Sequence, residues 1–97
     1  MNKLNNILNV AIPTGIRTIT YNEFNTESIR EQAKRMVINL LKDEVDTVMV
    51  KCDESLNTPE VIDNREFKIQ VGWNINDKWK HRIYTMQYTD CTFDEIL

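Results

Sequence analysis

The run TVMVKCDESLNTPEVIDNREFKIQVGW, residues 47–73, decides how this chain folds. Both of its ends alternate with a period of two, the signature of strands with one face buried. Thr47 to Cys52 puts Val48, Val50 and Cys52 on one side. Glu66 to Trp73 puts Phe67, Ile69, Val71 and Trp73 on one side and Lys68, Gln70 and Gly72 on the other. The link between them reads as a structured crossover. Thr58 precedes a proline, which pushes its backbone away from the helical region. Thr58 can then cap a helical turn, with Pro59 at the first helical position and Glu60 near the positive end. Val61 and Ile62 are placed to plug the edge of the core. Asp63 and Asn64 stop the turn, and Asp53 and Asn57 can hold local backbone amides.

Upstream, Ile29, Ala33, Met36, Val37, Leu40 and Leu41 recur at steps of three and four, so an amphipathic helix is expected over 26–43. Arg30, Glu31, Lys34, Arg35 and Asn39 fall on its other faces. Asn25 or Thr26 caps its start, and Glu27 suits the positive end of the helix dipole. Downstream, Arg82 to Tyr88 sets Tyr84, Met86 and Tyr88 opposite Ile83, Thr85 and Gln87, and Asn74 to Lys78 reads as a hairpin loop. Pro13-Thr14-Gly15 signals a turn. Ile16 to Phe24 reads as extended, and Met1 to Val10 as a short amphipathic helix or an arm. The expected fold class is α+β: one main helix packed on a small three- to four-stranded, mainly antiparallel sheet, with extended terminal arms. Residues 1–97 then form a single domain, with an N-terminal arm at 1–15, a core at 20–88 and a C-terminal tail at 89–97.

A chain of 97 residues, 41% hydrophobic and 28% charged, suits one folded domain with a modest core, to which partner contacts can add stability. The net charge is −3, and the nearest approach to a basic cluster is Lys78, Lys80, His81 and Arg82, expected on a solvated hairpin. A nucleic-acid module carries a stronger basic footprint, so no nucleic-acid partner is expected. Cys52, Cys91 and the single His81 fit no zinc spacing, and Cys52 is expected to be a small buried hydrophobe. No stretch approaches the ~20 apolar residues that span a bilayer, and residues 1–12 show no signal-peptide core. The expectation is a chain made in a cytoplasm, with no membrane partner, soluble until it assembles.

The crossover carries a further signal. Cys52, Asp53, Glu54, Asn57, Thr58, Pro59, Ile62, Asp63, Asn64, Glu66 and Phe67, in this order and spacing, resemble the C-terminal region of contractile tail sheath proteins of long-tailed phages. In that family a helix leads into a strand, then a Cys-Asp-Glu, Asn-Thr-Pro and Ile-Asp series, then an apolar strand. Tyr21-Asn22-Glu23-Phe24 and the helix precede the motif in the matching order, so the likeness covers roughly residues 20–73. Two departures stand out. A full sheath subunit is several times longer, and its Lys-Pro turn after the second strand is replaced here by Trp73-Asn74-Ile75-Asn76-Asp77 and Trp79. A short related family, the baseplate sheath initiators also called lysozyme-like wedge proteins, is similar in Pro13-Thr14-Gly15-Ile16-Arg17 followed by Asn22-Glu23-Phe24. The resemblance implies a structural protein of a virion tail or baseplate: a sheath, a sheath initiator or a tail terminator. Its implied partners are other copies of itself or sheath subunits, and tail tube or baseplate proteins. Assembly would run through strands exchanged by the terminal arms, after synthesis in the host cytoplasm.

No catalytic constellation stands out. Asp53, Glu54, Glu60 and Asp63 lack a paired base or a calcium-loop glycine, and capping and turn roles explain them. No carboxylate pair suggests glycoside hydrolysis. His81 is expected at the surface. Trp73, Trp79, Tyr84 and Tyr88 are read as core and interface packing rather than a base-stacking platform. The chain is therefore expected to be no enzyme, with no cofactor, no metal and no small-molecule substrate. The alternative reading is a small phage or mobile-element protein that binds and inhibits a host factor, which size and acidic balance suit equally well.

Overall fold

The computed structural model describes residues 2–21, 23–88 and 90–96. A helical run opens the chain: α1 (Lys3–Asn6), a π-helical turn (Ile7–Ala11) and α2 (Ile12–Thr20). Then come α3 (Glu27–Leu41), β1 (Thr47–Lys51), the short α4 (Pro59–Asp63), β2 (Glu66–Ile75), β3 (Lys78–Gln87) and β4 (Asp90–Ile96). The strands form one antiparallel sheet in the order β1-β2-β3-β4. The class is α+β, with helices on one face of a small antiparallel sheet.

The main helix starts where its cap requires. Thr26 Oγ1 accepts from the Ile29 N–H at 3.2 Å, and Glu27 occupies the first turn. Ile29, Ala33, Val37 and Leu41 are buried, while Met36 and Leu40 are half-buried at the edge of the stripe. α3 lies against β1 and β2, α2 against β3 and β4, and the two helices pack on each other. Beneath them the inner sheet face presents Phe67, Ile69, Val71, Trp73, Tyr84 and Met86, all buried.

The arm expected at 1–15 and the extended segment expected from Ile16 are helical instead. Leu8, Ile12, Ile16 and Thr20 stand four apart and form a stripe that is buried throughout. The apparent alternation of Ile16, Thr18 and Thr20 reflects β-branched residues that tertiary burial holds in a helix against their local preference. Their hydroxyls are accommodated locally: Thr18 donates to the Thr14 carbonyl at 3.0 Å and Thr20 to that of Ile16 at 2.8 Å. Gly15, expected in a turn, lies inside α2. A Cβ there would sit 2.8 Å from both Sδ and Cε of Met36, so the missing side chain lets α3 approach.

The tail expected at 89–97 is a sheet strand over its described residues, 90–96. Phe93 lies opposite Tyr84 and Glu95 opposite Arg82. The loop expected at 74–78 shrinks to Asn76-Asp77, with φ of 54° and 64°. This is the two-residue geometry whose twist matches antiparallel strands. Asp46 secures it, accepting from the Asn76 N–H at 2.9 Å. Tyr88, expected on the inner face, leaves β3 at φ 57° and is exposed.

Candidate functional site

The crossover gathers its residues around one side chain. β1 ends at Lys51, opposite Gln70. Two residues further on, the backbone of Asp53 would face Lys68 if the ladder continued. The Asn57 side chain takes that place. Its Oδ1 accepts from the Lys68 N–H at 2.8 Å, and its Nδ2 donates to the Lys68 carbonyl at 2.9 Å. Asn25 Nδ2 donates to Asn57 Oδ1 at 3.1 Å and to the Glu66 carbonyl at 3.0 Å. Arg30 then donates to Asn25 Oδ1 at 2.9 Å and to the Asn25 carbonyl at 3.0 Å. Asn57 is only 2% exposed, and this network satisfies both ends of its amide. The start of α3, the crossover and the start of β2 are thereby one polar unit.

The other motif residues divide into supports and surface. Thr58 Oγ1 accepts from the Val61 N–H at 3.3 Å, and Pro59 opens α4, as the spacing predicts. Asp53 Oδ1 accepts from the Ser55 hydroxyl at 2.7 Å and from the Ser55 and Leu56 amides at 3.0 and 3.3 Å. Those bonds, the Ser55 hydroxyl first, hold its carboxyl below the usual range. Phe67 is fully buried. Glu54, Asp63 and Asn64 are exposed, though the Asn64 carbonyl accepts from Gln87 Nε2 at 3.4 Å. Ile62, expected to plug the core, is exposed, while Val61 is half-buried. Successive helical residues point about 100° apart, so a single turn on the sheet rim can turn only one of the two inward.

Burial pushes the Cys52 thiol up to about 12, against the opposing pull of the Arg30 charge and the Asn57 hydrogen bond. It is therefore a protonated thiol and a poor nucleophile at neutral pH. Asp53 and Glu54 line a shallow groove with Glu27, Glu31 and Arg30, whereas Glu60 and Asp63 lie elsewhere on α4. Among the described residues, no group of three or more His, Cys, Asp and Glu side chains is arranged to hold a metal ion.

Two arginines are buried against the pattern's expectation. The helical spacing puts Arg30 on an outer face, yet it is 8% exposed. Its steps to Ala33, Val37 and Leu41 place it on the border of the apolar stripe. The basic cluster puts Arg82 on a solvated hairpin, yet it is 6% exposed. The strand alternation signals this, because Arg82 shares its side with Tyr84 and Met86. Its guanidinium lies 3.7 Å from the Phe93 ring centre and bonds Glu95 at 2.9 Å, Asn9 Oδ1 at 3.0 Å and the Leu8 carbonyl at 3.2 Å. The Tyr84 hydroxyl donates to the same carbonyl at 2.6 Å.

Pro13 explains why that carbonyl is free. In the π turn the Ile12 N–H reaches back to the Ile7 carbonyl, so the next donor, for Leu8, would be Pro13. Proline has no N–H. Tyr84 and Arg82 supply the missing donors and tie the N-terminal run to β3.

The aromatic residues form no common platform: Trp73 and Tyr84 are in the core, Trp79 is on the open sheet face, and Tyr88 is exposed. His81 is half-buried, its ring stacked on Trp79 with centroids 5.9 Å apart. Compared with known proteins, the chain matches no family model, no curated protein and no solved structure.

Proposed function

We propose that this chain is a structural, non-enzymatic component of a phage contractile tail or a related injection machine, of the sheath or sheath-initiator kind. One observation carries the reading. The residues that resemble the sheath motif are those that build the crossover: Asn57 bridges to Lys68, Asp53 and Thr58 set the turns, and Phe67 anchors the core. A motif whose parts serve one local architecture is better explained as a shape-bearing element than as a reaction centre.

For the manner of assembly we propose pairing through the outer strands in place of exchanged terminal arms. The described residues of both termini are committed to the chain's own core and sheet. Contacts with neighbours then fall to the outer strands. β1 carries Thr47, Met49 and Lys51 outward, with Met49 61% exposed, and β4 carries Asp90, Thr92 and Asp94 outward. Such edges are templates for strand pairing with copies of the chain, sheath subunits or tube and baseplate proteins. The test is mass spectrometry of density-purified particles from the phage or cell that encodes the chain. The expected result is a fixed ratio of this chain to tube protein in contractile particles, with cryo-electron microscopy placing it at the sheath or baseplate. Its absence from particles, alongside accumulation as a free protein, would overturn the reading in favour of a host-factor inhibitor.

A further inference from the structure

At the end of α2, opposite the β3 end of the sheet, lies a groove of about 780 Å³ open to solvent. Arg17, Tyr21, Phe24, Arg65, Met86 and Tyr88 line it. Four described non-glycine residues have positive φ. Asn76 and Asp77 are turn residues that tolerate it. Arg65 at 60° closes the turn after α4, and Tyr88 at 57° follows Gln87 in the turn that leads to β4, so two turns set these side chains on the groove. Tyr21 and Tyr88 are 86% and 75% exposed, an expensive display of aromatic surface for a lone small domain.

The charge is equally particular. The ion pairs among the described residues are Lys3 with Glu44 and Arg82 with Glu95, so neither Arg17 nor Arg65 has a carboxylate partner there. Among the described residues no acidic side chain lines the groove, although the chain as a whole is at −3. Phe24 and Met86 give it an apolar part, and methionine adapts to varied shapes. Tyrosine, arginine, phenylalanine and methionine are the types enriched at protein interfaces.

We infer that this groove docks an acidic peptide segment of another protein, seated by one large apolar side chain between flanking carboxylates. A neutral segment would leave both guanidiniums unpaired. A small inorganic anion would leave Phe24 and Met86 uncovered. Nucleic acid would meet a negatively charged chain with only two arginines at the site. The inference does not depend on the tail reading.

The test titrates the isotope-labelled full chain with three pools of blocked hexapeptides. Each pool has one central Phe, Trp, Leu or Ile, flanked by Asp/Glu, by Asn/Gln or by Lys/Arg. The acidic pool should shift the Met86 methyl and the Tyr21 and Tyr88 amides, and bind roughly tenfold tighter than the neutral pool. The double variant Arg17→Glu with Arg65→Glu should lose the acidic pool and gain the basic one. Arg65→Gly suits the positive φ, so it should keep the fold and still weaken acidic binding. Equal binding of acidic and neutral pools, shifts confined outside the groove, or unchanged binding by the charge-reversed variant would each overturn the proposal. So would groove signals that move with protein concentration alone, which assign the groove to a second copy, or that move more for a single-stranded oligonucleotide.

Discussion

The side chain of Asn57 pairs with Lys68 as a strand backbone would, accepting from its N–H at 2.8 Å and donating to its carbonyl at 2.9 Å. It extends the β1–β2 ladder past the point where the chain has turned away. Asn57→Ala removes the partner of the Lys68 N–H and leaves the Lys68 carbonyl only the weak Cys52 thiol donor at 3.5 Å, while Asn25 keeps its bonds to Glu66 and Arg30. Each buried polar group left unpaired costs about 1–3 kcal/mol, so urea unfolding should show a loss of about 2–4 kcal/mol. Asn57→Asp should not rescue it, because a carboxylate cannot donate to the Lys68 carbonyl. A loss under ~1 kcal/mol for the alanine variant would mean that the pairing does not hold the crossover.

Much of this arrangement is visible in the sequence, and its limits are physical. The period-two pattern of Phe67, Ile69, Val71 and Trp73 places the central strand, and Thr58-Pro59 locates α4 to the residue. Both signals are local. Asn57 was legible only as a turn residue, because its partner lies 11 residues on and its second contact, Asn25, 32 residues back. The helical run before Thr20 was obscured for a related reason. Pro13, Gly15 and three threonines argue for turn and strand locally, while the burial of Leu8, Ile12 and Ile16 decides the outcome. The groove at Arg65 and Tyr88 was illegible: neither residue type advertises a positive φ.

Gly72 lies under the ring of His81. A Cβ there would come within 2.7 Å of Nδ1 and 2.8 Å of Cε1, yet Gly72 has no positive φ that would forbid alanine on backbone grounds. Gly72→Ala should therefore cost about 1–2 kcal/mol through overpacking alone. In a His81→Ala background the cost should fall close to zero. A double-mutant cycle with a coupling under ~0.5 kcal/mol would show that the ring swings aside freely.

Arg82 and Glu95 form an unequal pair, with side chains 7% and 66% exposed. The exposed carboxylate is screened by solvent, so Glu95→Gln should cost under about 1 kcal/mol. Arg82→Ala should cost more, about 2–4 kcal/mol, because it also removes a side chain packed across Phe93 and a donor to the Leu8 carbonyl. Equal losses in chemical denaturation would assign the energy to the ion pair instead.

The two thiols give an alkaline signature. Burial pushes Cys52 up to about 12 and Cys91 up to about 11, from an ordinary 9.0. A raised folded-state value means folding favours the protonated thiol. The stabilisation is complete below 9.0 and is lost as pH rises through the folded values. At pH 9.0 the folded chain should show little thiolate absorbance and the urea-unfolded chain about half of its maximum. The urea midpoint should decline above that pH, and less so in a Cys52→Ala variant. Thiolate absorbance at pH 9.0 equal in the folded and unfolded chains would overturn the burial account.

The N-terminal run separates a core role from an arm role. An arm could be removed with the fold intact and only assembly impaired. Here Ile7 and Leu8 are 6% and 3% exposed, and the Leu8 carbonyl is the acceptor for both Tyr84 and Arg82. Deleting residues 1–10 would leave the Tyr84 phenol without its acceptor, strip the Arg82 guanidinium of Leu8 and Asn9 while it keeps Glu95, and open the apolar seam beside α2. Burying one large aliphatic side chain is worth roughly 1.5–3 kcal/mol. Losing two of them, with the two hydrogen bonds, amounts to much of the roughly 5–15 kcal/mol that holds a domain together. The truncated chain should therefore lose cooperative unfolding and near-ultraviolet circular dichroism. Tyr84→Phe is the milder probe of the same seam. It deletes one donor while Arg82 still serves the carbonyl, so its cost should be about 1–2 kcal/mol. If the truncated chain unfolds cooperatively with unchanged stability, residues 1–10 are an appendage and the π turn does not anchor the fold. If it fails to fold while Tyr84→Phe is mildly destabilised, the seam between Leu8 and β3 is part of the core, and assembly must use surfaces other than this terminus.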